Sequence, residues 1–162
     1  MIHHVSIAAS EPKRVAAVLA ELMGGRSYPF PGGFRDSWMA VEGDGHGTAI
    51  EVYPDGLQLR PDGNDAVRAE ETPPAAGYGP FHVLLSVAAD QATIERIGQR
   101  EGWTTRLCAR GAPGQKPLFH VIEFWLENRL MLELAPRDMI GDYERVLTLE
   151  NMDAFQAARQ AA

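Results

Sequence analysis

The chain carries one segment pattern twice, and that repeat limits the folds open to it. In the first copy, residues 4–9 alternate, with Val5, Ile7 and Ala9 on one face and His4, Ser6 and Ala8 on the other. Ser10 reads as a helix N-cap and Pro12 suits the first helical turn. Val15, Val18, Leu19 and Leu22 then lay down an apolar stripe that Gly24-Gly25 ends. The second copy starts at Phe81-His82-Val83-Leu84-Leu85-Ser86-Val87, takes Asp90 as N-cap, marks a helix with Ile94 and Ile97, and stops at Gly102. A short strand follows each helix, over 26–30 and 103–109. Each strand runs into a Pro/Gly loop, Pro29-Phe30-Pro31-Gly32-Gly33 and Gly111-Ala112-Pro113-Gly114. Each copy closes with a hairpin, 38–41 into 48–53 and 120–126 into 130–134, the second turning at Glu127-Asn128.

The expected order is therefore β-α-β-β-β, twice, within one α+β domain of 162 residues. Module 1 spans about 2–60 and module 2 about 80–136. Residues 61–79, with Asp62-Gly63-Asn64, Glu70-Glu71 and Pro73-Pro74, read as a linker or crossing loop. The tail, 137–162, suggests a helix from near Glu150 through Met152, Phe155, Ala158 and Ala162.

Charge and composition narrow the class of function. A net charge of −7 offers no electrostatic footprint for nucleic acid or an anionic membrane. No apolar run nears the ~20 residues of a membrane span, and Met1-Ile2-His3-His4 opens without a signal-peptide pattern. A cytoplasmic protein is the expectation. The single Cys108 excludes an intrachain disulfide and reads as a small core residue rather than a nucleophile.

Strand parity gathers the residues with metal-binding chemistry. His4 and His82 lie in the first strand of each copy; Glu51 and Glu133 lie in the last. Each shares its face with Ser6, Tyr53, Ser86 or Met131, while Ile50, Val52, Leu132 and Leu134 point the other way. Two imidazoles and two carboxylates form a donor set for one divalent ion, and zinc, nickel, cobalt, iron and manganese all accept it. His3 has the wrong parity, His46 reads as a turn residue, and His120 shares parity with Ile122 and Phe124 as a sheet histidine.

With these residues the chain resembles the vicinal oxygen chelate superfamily of glyoxalase I, bleomycin-resistance proteins and extradiol dioxygenases. The resemblance covers roughly residues 2–136 and rests on Ile2-His3-His4-Val5-Ser6-Ile7, Phe81–Val87 and Leu130-Met131-Leu132-Glu133-Leu134. It implies curved mixed sheets around a central cavity, with a divalent metal on His4, Glu51, His82 and Glu133. It also implies a homodimer and a small-molecule substrate.

The implied activity is that of a glyoxalase-like lyase or isomerase. A metal-polarised carbonyl loses its α proton to Glu133, with Glu51 as the symmetric alternative. A fourth protein ligand at Glu51 argues against an extradiol dioxygenase, which keeps open positions on iron. A non-catalytic binding or antibiotic-resistance protein of the same fold is the alternative, with Tyr53 and also Trp38, Phe124 and Trp125 as cavity aromatics. Arg35, Arg60, Arg106, Arg110 and Lys116 are the cations available for an anionic substrate, each expected to be a solvated surface charge.

Overall fold

The computed structural model describes residues 2–31, 34–61, 67–74, 78–112 and 114–160. Met1, Gly32, Gly33, Asp62, Gly63, Asn64, Pro113 and Ala162, named above, lie outside the described residues. The first copy forms β1 (His4–Ala9), α1 (Pro12–Met23), β2 (Arg26–Pro29), β3 (Trp38–Val41) and β4 (Ala49–Pro54). These strands make a mixed sheet in the order β1-β4-β3-β2, with β1 parallel to β4. Val15, Leu19 and Leu22 of α1 are fully buried, as are Ala40 and Val52. The alternation in β1 is as expected: Ile7 and Ala9 are buried while His4, Ser6 and Ala8 are exposed.

Helix α1 starts differently from expectation. Its N-cap is Glu11, not Ser10, and neither side chain caps it. The Ser10 hydroxyl donates instead to Asp55, at 2.8 Å. The Glu127 carboxylate takes over the capping role, accepting the backbone N–H groups of Ser10 and Glu11, each at 2.8 Å. A carboxylate there satisfies orphan donors and complements the helix dipole.

The stretch expected to be a linker contains structure. After β4 the chain forms β5 (Leu57–Pro61) and β6 (Val67–Glu71), an antiparallel pair in which Leu57 faces Glu71. Gly56 makes the bend at φ 85, where a Cβ would meet the Thr72 carbonyl oxygen at 2.2 Å.

The second copy forms β7 (His82–Val87), α2 (Gln91–Glu101), β8 (Thr105–Arg110), β9 (Phe119–Leu126) and β10 (Leu130–Pro136), in the order β7-β10-β9-β8. Here the Asp90 side chain does cap the helix, accepting from Thr93 N–H at 2.9 Å. Ile94 and Ile97 are fully buried, and Trp103 meets Phe124 edge-on at 5.8 Å. Strand β8 begins two residues later than expected because Trp103 turns into the core. The tail forms α3 (Ile140–Val146), which sequence periodicity did not announce, and α4 (Leu149–Gln160). No helix among the described residues is long and apolar enough to cross a membrane.

By internal contacts the chain divides into two compact units, residues 1–80 with 126–130, and 81–125 with 131–162. The tip of the β9–β10 hairpin thus counts with the first unit. Glu127 and Asn128 there have φ values of 50 and 54, the left-handed backbone of a tight two-residue turn. Arg129 completes the tip, donating to Asp55 at 2.5 Å and to the Ala8 carbonyl at 3.3 Å. Burial works to raise the Asp55 carboxyl, but the bonds from Arg129 and Ser10 outweigh it and hold the group below its ordinary range.

Candidate functional site

Register places the histidine–glutamate pairs identically in the two copies. In the first, His4 lies opposite Ala49 and Glu51 opposite Ser6. In the second, His82 lies opposite Met131 and Glu133 opposite Leu84. Each histidine is therefore the diagonal neighbour of its glutamate on adjacent parallel strands, on one sheet face.

In the first unit the pair is close. His4 Nε2 stands 4.0 Å from Glu51 Oε1. The other carboxylate oxygen, Oε2, accepts two hydroxyls, Ser6 Oγ and the Tyr53 phenol, each at 2.8 Å. Burial first, and then the bond to Glu51, push the Tyr53 phenol up to about 12, so it stays a donor throughout the physiological range. Phe30 and Phe34 stack on each other at 5.9 Å and meet the Tyr53 ring edge-on at 5.5 and 5.6 Å. The face thus presents a histidine and an anchored carboxylate beside an aromatic wall.

The second unit treats its glutamate differently. Glu133 Oε1 accepts from Arg110 Nε at 2.8 Å and from a terminal nitrogen of the same guanidinium at 2.5 Å. That terminal nitrogen also reaches Glu123 Oε1 at 3.0 Å. Glu123 Oε2 accepts from Arg106 Nε at 2.7 Å and from the Trp125 indole at 3.2 Å. Both carboxylates are buried. Burial works to raise Glu123, but Arg110, Arg106 and Trp125 outweigh it and pull the carboxyl down to about 2. Arg110 is raised above the ordinary arginine value: its burial works to lower it, but the bonds it donates to Glu133 and Glu123 outweigh that.

Several expectations change here. Arg110 is not a solvated surface charge, since it lies between Glu123 and Glu133; Arg106, directly opposite Glu123, stays exposed as expected while pairing with it. Arg35 and Lys116 are exposed, Arg35 pairing with its neighbour Asp36; the Arg60 side chain lies outside the described residues. Phe124 is a fully buried core residue. Trp38 lies opposite Val52, on the face away from Glu51, with Lys13 5.1 Å over its ring. Trp125 is the aromatic that joins the polar face. His3 bonds the His46 carbonyl at 2.7 Å, and His120 is exposed.

Sequence reasoning missed Glu123, and also Phe30 and Phe34 of the aromatic wall. Glu123 shares parity with Val121 and Trp125, opposite the apolar Ile122 and Phe124, and the parity argument used for Glu133 identifies it equally.

A shared metal ion bound at about 2.0–2.2 Å to nitrogen and oxygen spans donors up to about 4.2 Å apart. The His4–Glu51 separation of 4.0 Å lies within that span, and the anchored Oε2 leaves Oε1 as the donor. This half fits a divalent ion. Glu133 fits less well, since a guanidinium already holds one of its oxygens. No cluster of three or more metal-holding His, Cys, Asp or Glu side chains occurs among the described residues.

No family model matches the chain, and no curated protein matches its sequence. Solved structures do share its architecture. A lactoylglutathione lyase from Agrobacterium tumefaciens superposes with a TM-score of 0.51 at 13% identity, covering 85% of this chain and 93% of that one. An integron cassette protein from V. cholerae gives 0.50 at 13% identity, covering 85% and 94%. At such identities the likeness concerns the fold, and the paired β-α-β-β-β modules and mixed sheets agree with it. The chain has the glyoxalase-like fold of the vicinal oxygen chelate proteins.

Proposed function

We propose that this protein is a divalent-metal-dependent lyase or isomerase of the glyoxalase kind, removing a proton α to the carbonyl of a small oxygen-chelating substrate. The observation that carries this reading is the state of Glu51: one oxygen anchored by Ser6 and Tyr53, the other facing His4 at 4.0 Å. His4 and Glu51 are the first metal ligands in this reading, with His82 and Glu133 as the corresponding candidates of the second module. A bound divalent ion supplies Lewis acidity to the substrate carbonyl.

The chain's own residues do the rest. Ser6 and Tyr53 fix the rotamer of Glu51, so its free oxygen is aimed before substrate arrives. Glu51 accepts the proton on Oε1, since the neutral hydroxyls of Ser6 and Tyr53 occupy only Oε2. Phe30, Phe34 and Tyr53 give an apolar surface for the substrate body and keep water from the reacting carbon. A homodimer belongs to the same proposal, and light scattering at twice 17.8 kDa supports it.

The test is solvent deuterium exchange, followed by NMR, into the α position of small α-hydroxycarbonyl compounds and thiol hemiacetals. Exchange by metal-loaded wild type that disappears in Glu51→Gln supports the proposal. Metal-loaded wild type that exchanges none of the panel contradicts it and favours a non-catalytic binding protein.

A further inference from the structure

The two glutamates occupy equivalent register positions, yet their surroundings differ in a definite way. Where Ser6 stands opposite Glu51, Leu84 stands opposite Glu133. Where Tyr53 follows two residues after Glu51, Ala135 follows two after Glu133. Leu84 and Ala135 have no hydroxyl to give. The buried Glu133 carboxylate is served instead by Arg110, which is itself held by Glu123, and Glu123 by Arg106.

We infer that Arg110 is a positioning residue that divides the two glutamates by role: it occupies Glu133 as an internal cation and leaves Glu51 as the carboxylate available to a divalent ion and to the substrate proton. The inference deepens the metal-dependent reading above, and it reverses the assignment in which Glu133 is the base. Neutral donors orient Glu51 without cancelling its charge. A guanidinium on Glu133 cancels that charge and repels an incoming cation. Glu123 makes the arrangement stable, because it gives Arg110 a second carboxylate and takes Arg106 on its other oxygen. The Arg110 side chain is 29% exposed and Glu133 only 11%, so the pair is held largely out of water.

Calorimetric titration of metal-free protein with cobalt(II) tests this, with near-ultraviolet circular dichroism confirming the fold of each variant. Expected results are an affinity for Glu133→Gln within about threefold of wild type, and a loss of about a hundredfold or more for Glu51→Gln. Arg110→Met is expected to tighten binding about tenfold or to create a further site, and Arg110→Met/Glu133→Gln to abolish that gain. Arg110→Lys, which keeps a cation with less disturbance, is expected to stay near wild type.

Wild type that binds while folded Arg110→Met gains nothing overturns the inference and leaves the metal reading standing. Wild type that binds no cobalt overturns the metal reading of the native protein and with it the role given to Glu51, while binding by Arg110→Met through Glu133 supports the masking of Glu133 by Arg110. Uptake by neither overturns both.

Discussion

Tyr53 donates its phenolic hydrogen to Glu51 Oε2 across 2.8 Å, tying the aromatic wall of the first sheet to its one carboxylate. The bond depends on the phenol being protonated and the carboxylate being charged. Burial and Glu51 raise the phenol from 10.0 to about 12. A raised pKa on a group that is neutral when protonated adds stability below the unfolded value, and that stability is lost as pH climbs through the folded one.

Ultraviolet titration of the four tyrosines should therefore show one ionising late, near 12, and Tyr53→Phe should remove that component. The same variant should cost about 1 kcal/mol in denaturant unfolding, the net value of a half-buried hydrogen bond. A titration in which Tyr53→Phe removes an ordinary tyrosine contradicts the bond.

The Glu123 network gives the opposite pH dependence. Its carboxyl is held at about 2, well under the ordinary 4.5, so its contribution is full above the unfolded value and falls away as pH drops from 4.5 toward 2. A shift of that size is worth roughly 3 kcal/mol at neutral pH for a buried group. Urea unfolding between neutral pH and pH about 3 should show a loss that is much smaller in Glu123→Gln. Equal acid sensitivity in the two proteins contradicts the network.

Glu127 caps α1 from 117 positions away, with both carboxylate oxygens on backbone N–H groups. Glu127→Ala should destabilise the protein by about 1–2 kcal/mol, as loss of an N-cap does. Measurement is again by denaturant unfolding. A neutral result means that Ser10 or solvent serves those N–H groups equally well.

Gly25 packs where no side chain fits: a Cβ there would meet the Val41 carbonyl oxygen at 2.0 Å, which is backbone and cannot swing aside. Gly25→Ala should lower stability by about 2 kcal/mol or more, in the range of overpacked sites. Gly79, with open space around it, provides the control, and Gly79→Ala should be close to neutral in the same thermal melt.

The sequence made visible whatever periodicity encodes. His4 and Ser6 alternate with buried Ile7 and Ala9, the helix stripe of Val15, Leu19 and Leu22 is continuous, and the repeated order follows from both. The β5–β6 pair escaped because Gln58, Glu70 and Glu71 interrupt any apolar alternation between turn-rich segments. Capping of α1 by Glu127 was illegible for another reason, since it joins residues that only the tertiary fold brings together. Arg110 and Glu133 are 23 positions apart on strands separated by β9, so their pairing depends on sheet order as well as parity. The face of each residue could be read from the chain, whereas the partner that each glutamate takes could not.

Glu51 and His4 as metal ligands are the centre of the proposed chemistry. Elemental analysis of reconstituted, desalted protein measures this directly. Wild type should retain about one divalent ion per chain, and His4→Ala and Glu51→Gln should each retain far less while keeping the wild-type circular dichroism spectrum. Wild type without bound metal, or both folded variants retaining as much as wild type, would contradict it.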